Sequence, residues 1–122
     1  MRLLIVDDSN VIRSRITRII KANTNLNIKV VGSAGNGINA LDIALQTEPD
    51  VVTMDLTMPK MDGLESIKRL LAMYPKIKII VISALDDKST AIKAIRLGAC
   101  GFLPKPFSDE ELLLALLDAT DA

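Results

Sequence analysis

Histidine and tryptophan are absent from this 122-residue chain, there is one cysteine, and aromatic residues make up only 2% of it. Each shortage removes a class of function. Without histidine there is no Ser-His-Asp or Cys-His nucleophile, no histidine zinc ligand and no imidazole acid–base chemistry. A single thiol, Cys100, cannot close an intrachain disulfide, which fits a reducing compartment. Nothing near Cys100 in the sequence activates it, and it reads as a small buried hydrophobe. One tyrosine and two phenylalanines are too few for a base-stacking platform. Charge of one sign is missing too: 15 basic and 15 acidic residues cancel without a like-charged block, so direct nucleic-acid binding is not expected. No apolar run is long enough to cross a bilayer, and the one at residues 3–6 is too short for a signal peptide. Membrane insertion is therefore not expected, and the expected location is the cytoplasm.

What remains is a chain of one domain's length with 49% apolar residues, ample for a core without staples. Short β-branched runs alternate with longer amphipathic stretches. Compact apolar runs at 3–6, 28–31, 51–54, 77–82 and 101–103 read as strands. The fourth is the most apolar and is expected at the centre of the sheet. Between them, Val11, Ile12, Arg15, Ile16, Ile19 and Ile20 show helical spacing, as do Ala40, Leu41, Ala44 and Leu45, and Leu64, Ile67, Leu70 and Leu71. A fourth helix at 88–97 stops at Gly98, and Ser108 opens a fifth with Asp109, Glu110 and Glu111 in its first turn. The glycines of 32–37 are expected to end the second strand. Five βα units without a linker imply a single α/β domain over residues 1–122: a five-stranded parallel sheet, doubly wound, with helices on both faces.

In open sheets of this kind ligands bind beyond the carboxyl ends of the strands. There the sequence places Asp7 and Asp8, Asp55, Ser83 and Lys105. Converged, three carboxylates repel one another and one ammonium does not balance them, whereas a hard divalent cation does; oxygen ligands suit Mg²⁺, with Mn²⁺ as a substitute. A carboxylate beside a cation and a lysine is a place to receive a phosphoryl group as an acyl phosphate. Taken singly, each residue has a plainer reading. Asp7 or Asp8 caps a helix, Ser83 starts a loop, Lys105 is a surface lysine, and Met58-Pro59 and Asp62-Gly63 are turn residues.

The pieces Leu4-Ile5-Val6-Asp7-Asp8-Ser9, Met54-Asp55-Leu56-Thr57-Met58-Pro59, Met61-Asp62-Gly63, Val81-Ile82-Ser83-Ala84 and Lys105-Pro106-Phe107 resemble, in order and spacing, the receiver domain of two-component response regulators. The resemblance covers essentially the whole chain. It implies a flavodoxin-like (βα)5 fold with strand order 2-1-3-4-5, and a phosphorylation-activated switch of the stand-alone chemotaxis type. It implies Asp55 as phosphoacceptor, with Asp7, Asp8, Asp55 and the Thr57 backbone carbonyl as Mg²⁺ ligands. Lys105 would bind the phosphoryl oxygens, Ser83 and Phe102 would be the switch pair, and the Lys105-Pro106 bond would be cis. Implied partners are a sensor histidine kinase or phosphotransfer protein, and a downstream target on the surface of helix four, strand five and helix five. A monomer or a phosphorylation-dependent dimer would result. No enzyme activity is implied beyond autophosphorylation on aspartate and slow dephosphorylation. Departures are Phe102, whose ring has no hydroxyl to hydrogen-bond where the family often has tyrosine, and Thr57 and Leu85, where many chemotaxis regulators carry an amide or an acid; the latter two bear on phosphate lifetime and the partner phosphatase.

Other readings compete. A haloacid-dehalogenase-type phosphatase needs a second Asp where Thr57 stands. A flavodoxin needs a hydroxyl-rich loop where Asp7-Asp8 would repel phosphate. An excised receiver of a larger DNA-binding or enzymatic regulator, and an interaction module that is not phosphorylated, also remain open. On helix five, Leu112, Leu113 and Leu116 share the core side and Leu114 is expected outside, with Lys93 or Arg96 of helix four at the rim of an apolar patch.

Overall fold

The computed structural model describes residues 1–56, 63–84 and 86–120. The elements follow in strict alternation: β1 (Arg2–Val6), α1 (Asn10–Ala22), a 3-10 turn (Thr24–Leu26), β2 (Lys29–Ala34), α2 (Gly37–Thr47), β3 (Val51–Asp55), α3 (Gly63–Met73), β4 (Lys78–Ala84), α4 (Lys88–Leu97), β5 (Gly101–Lys105) and α5 (Asp109–Thr120). All strand pairs are parallel, in the order β2-β1-β3-β4-β5. Crossovers between parallel strands are right-handed. The chain steps one way from β1 to β2 and then back across β1 to β3, β4 and β5, so α1 falls on one face and α2, α3 and α4 on the other. The two cores follow that division. Leu3, Ile5, Ile80 and Ile82 pack with Ile16, Ile20, Leu112 and Leu116 on the α1/α5 side. Leu4, Val6, Met54 and Val81 pack with Ala44, Ile67, Leu70 and Ala94 on the other.

Local sequence explains the helix ends. Ser9 caps α1, its Oγ accepting from the Ile12 N–H at 3.3 Å. Asn36 and Asp87 cap α2 and α4 in the same manner. At α5 the cap is reciprocal: Ser108 Oγ accepts from Glu111 N at 3.1 Å, and Glu111 Oε1 accepts from Ser108 N at 3.0 Å. Gly98, at φ 123°, ends α4 in a conformation that side chains disfavour.

Several expectations need correcting. The second strand runs through Gly32 and Ser33 to Ala34 rather than stopping at 31, because a bulge between Leu3 and Leu4 lets β1 pair Leu4 with Gly32 and Val6 with Ala34. Gly32 is there for room: a Cβ would lie 2.7 Å from Ile43 Cγ2 of α2. The middle strand is β3, and β4 is interior but one step off centre. β5 extends through Pro104 to Lys105, which an edge strand permits since one side needs no ladder hydrogen bonds. Val11 and Leu45 lie outside the core, 74% and 61% exposed, at the margins of their helical stripes. Cys100 is exposed rather than buried, since it stands in the turn between α4 and β5. On α5 the expected phase is observed: Leu112 and Leu116 are fully buried, Leu113 packs partly against them, and Leu114 is 59% exposed.

Candidate functional site

The site forms where the order of the sheet reverses, between the carboxyl ends of β1 and β3. Strand alternation aims its side chains. Asp55 continues the row of Val51 and Thr53, and Lys105 the row of Leu103, both toward the α1/α5 side. Asp7, just past β1, continues the row of Leu3 and Ile5. Three residues far apart in the chain thereby meet. The Lys105 ammonium Nζ is 3.3 Å from Asp7 Oδ2 and 3.5 Å from Asp55 Oδ2. Asp7 and Asp55 are 1% and 0% exposed, while Asp8 stands at the exposed rim. One carboxylate oxygen from each of the three lies within 4.8 Å of the others.

Neighbouring backbone holds the acids in place. Asp7 Oδ1 accepts from Ser9 N at 2.9 Å, and the Arg13 guanidinium donates to the Asp7 carbonyl oxygen. Burial pushes the Asp7 carboxyl above its ordinary value; the Ser9 N–H opposes this, the charge of Asp55 adds to it and Lys105 again opposes it. Gly63, the first residue of α3, is packed under Asp55. A Cβ there would come to 2.9 Å from the Asp55 carbonyl oxygen and from Leu56 Cα and Cδ2. Gly63→Ala should therefore lower stability by about 1–3 kcal/mol, through overpacking against backbone that cannot yield. A thermal melt followed by circular dichroism measures it, and an unchanged midpoint would mean that α3 shifts freely.

Of the residues named from the sequence, Asp7, Asp8, Asp55 and Lys105 converge. Ser83 is the next-to-last residue of the adjacent strand β4, on the opposite row, and its buried Oγ has no hydrogen-bond partner among the described residues. Phe102 is half-buried against the α2/α3/α4-side core. The Lys105-Pro106 bond is cis, as the resemblance implies. Thr57, Met58, Pro59, Met61, Asp62 and Leu85 lie outside the described residues. Sequence reasoning missed the roles of Arg13 and Gly63. The glycine immediately after Asp62, a turn residue taken singly and part of the motif Met61-Asp62-Gly63, is the signal the sequence offers.

The donor set suits a hard cation. Three carboxylates face one ammonium, two of the acids are buried, and every ligand atom is oxygen. That excess of two negative charges fits a divalent ion such as Mg²⁺ or Mn²⁺ with water completing its shell. Among the described residues no helix is long and apolar enough to cross a membrane.

Comparison with known proteins gives one answer. The family described as "Response regulator receiver domain" matches residues 3–117. The chain is 40% identical over 116 residues to a chemotaxis protein CheY of Listeria monocytogenes, covering 95% of each. It superposes on the receiver domain of the response regulator AraT from Geobacillus stearothermophilus with a TM-score of 0.91 and 37% identity, covering 98% of this chain and 92% of that one. A CheX-CheY-BeF3-Mg complex from Borrelia burgdorferi gives a TM-score of 0.88 at 28% identity, covering 96% and 87%.

Proposed function

Because the chain belongs to the response regulator receiver domain family, whose members are phosphorylation-activated signalling switches, we propose that Asp55 is its phosphoacceptor and that Asp7, Asp8 and Asp55 hold the Mg²⁺ that the reaction needs. The observation that carries the reading is the contact of one ammonium, Lys105, with two buried carboxylates beside a third. The Thr57 carbonyl is the fourth proposed ligand. When bound, the ion neutralises charge on the transferring phosphoryl group and on the acids.

An Asp55 carboxylate oxygen attacks phosphorus of a phosphohistidine on a sensor kinase or phosphotransfer protein. The P–N bond breaks, the imidazole leaves with the electron pair and takes a proton from solvent, and an acyl phosphate remains on Asp55. Lys105 binds the phosphoryl oxygens in exchange for its carboxylate contacts. Ser83, whose hydroxyl lacks a partner among the described residues, supplies a hydrogen bond to one of them. That movement frees space for Phe102 and remodels the surface of α4, β5 and α5. Beyond its own phosphoryl group the domain turns over no substrate. Its place of action is the cytoplasm, where an exposed thiol such as Cys100 stays reduced. A phosphate analogue and magnesium accompany the Borrelia relative in its complex with CheX, and a comparable partner fits here. Incubation with acetyl phosphate tests the reading. Acid-stable, base-labile phosphate should appear with Mg²⁺ and vanish with chelator; no incorporation would favour an interaction module that is never phosphorylated.

The output surface carries exposed apolar groups on two helices: Ile92 and Ile95 on α4, Leu114 and Leu117 on α5. Leu114→Glu should leave stability within about 0.5 kcal/mol, as at other exposed positions. It should weaken target binding or dimerisation of the phosphorylated form by roughly tenfold or more. Sedimentation of the phosphorylated protein, with and without target, measures this; equal association in variant and wild type would move the docking surface elsewhere.

A further inference from the structure

Arg15 reaches across from α1 to the turn that follows Lys105. Its Nη2 donates to the Phe107 carbonyl oxygen at 2.6 Å and to Asp109 Oδ1 at 3.0 Å, and its Cζ lies 4.8 Å from the centre of the Phe107 ring. The ring is itself buried in the core shared by α1 and α5. Lys105 is the last residue of β5, an edge strand, and pairs only with Ala84 of β4. The next residue is Pro106, which has no N–H to anchor it. The far side of this strand end is therefore restrained from α1, through Arg15. The same helix is tied to the acids at its N-terminus, less than two turns before Arg15, where Ser9 N donates to Asp7 Oδ1 at 2.9 Å. A continuous path thus runs from the Asp7 carboxylate through α1 and Arg15 to the segment bearing Lys105.

We propose that Arg15 is a positioning residue for phosphoryl transfer, setting the distance between the Lys105 ammonium and the pair Asp7 and Asp55. The proposal rests on the reading of Asp55 as phosphoacceptor. A half-exposed ion pair such as Arg15–Asp109 adds little to global stability. What three contacts on a turn do supply is registry, and misplacing a charge by about an ångström is costly in rate. Arg15 touches neither the carboxylates nor the transferred group, and it acts through Lys105.

Arg15→Met keeps the stem over Phe107 and removes the charge and the donors. With acetyl phosphate as donor, its maximal phosphorylation rate should fall about tenfold, while Mg²⁺ affinity measured by calorimetry stays within about twofold, since the three carboxylates are untouched. In a Lys105→Ala background the same substitution should change the rate less than about twofold, because the group being positioned is gone. The side-chain Cε resonance of Lys105 should move toward that of a free lysine in Arg15→Met, and Arg15→Lys should recover part of both effects. An equal rate loss with and without Lys105 would mean a merely structural role and overturn the proposal, as would an unmoved Lys105 resonance. A wild-type protein that takes up no phosphate would instead defeat the phosphoacceptor reading, and the Lys105 resonance would then decide the positioning by itself.

Discussion

Asp55→Asn will incorporate no acid-stable, base-labile phosphate from acetyl phosphate or from a phosphorylated kinase, where the wild-type protein is labelled. The amide is nearly the size of the carboxyl, and the close approach of Gly63 is to the Asp55 backbone, which the substitution leaves in place, so the fold survives. It carries no negative charge with which to attack phosphorus, and an amide is a far weaker nucleophile than a carboxylate. The alternative acceptors are poorly placed. Asp7 has one oxygen engaged by Ser9 N and the other facing Lys105 at 3.3 Å, and Asp8 stands at the rim. The expected loss is at least about a hundredfold, the scale on which removing a reacting group acts. Lys105→Ala, by contrast, leaves the nucleophile in place: labelling continues, more slowly, and coupling to the partner is lost. Mass spectrometry of the labelled proteins measures both, and an Asp55→Asn protein labelled as fast as wild type would place the acceptor at another carboxylate.

Asp7→Asn will make the metal-free protein more stable, by roughly 1–2 kcal/mol at neutral pH, while weakening an already modest Mg²⁺ affinity. Asp7 is 1% exposed, and burial raises its carboxyl above the ordinary 3.8. The folded state thus holds the proton more firmly than the unfolded chain. The contribution of this group to stability is greatest below about 3.8 and is lost as pH rises through the folded value. The asparagine keeps an oxygen for the Ser9 N–H and removes both the desolvated charge and its repulsion with Asp55. Lys105 is not orphaned, because Asp55 remains 3.5 Å away. The melting midpoint should rise by roughly 3–8 °C in chelator, and the difference should shrink toward zero in acid. Saturating Mg²⁺ should stabilise the wild type more than the variant, narrowing or reversing the gap. A variant less stable than wild type in chelator at neutral pH would show that the Asp7–Lys105 contact outweighs the burial of the charge.

The two expectations share one cause. The acids proposed to hold a cation and accept a phosphoryl group are unfavourable neighbours without the cation, and Lys105 relieves only part of the repulsion. Such a site trades stability for chemistry.

Much of this arrangement is legible along the chain. Strands that are apolar without interruption, as at 79–82, and helices with one apolar stripe, as in α1, oblige a parallel sheet covered on both faces. Caps are local chemistry, and Ser9, Gly98 and Ser108 were readable as such. The order of acids, hydroxyl and lysine at strand ends identified the family. Where reading failed, the deciding partner was remote. Gly32 looks like a strand breaker until Ile43 of α2 is found against it, and a bulge in the pairing of β1 and β2 cannot be seen in either strand alone. Val11 and Leu45 have the right spacing for a core but sit at the edge of the covered arc. Cys100 is exposed because a turn carries it, whatever its chemical type prefers.

By itself, then, the sequence determined the class of fold, the alternation of its elements and the residue types available for chemistry, because these depend on periodicity and on contacts within a few residues. Only the tertiary structure decided that Lys105 touches both Asp7 and Asp55, that the Ser83 hydroxyl is left without a partner among the described residues, and that Arg15 braces the turn behind Lys105. Distances between strand ends are set by sheet register and by the side on which each crossover helix packs. Those are collective properties of both cores, and no short stretch of the chain encodes them.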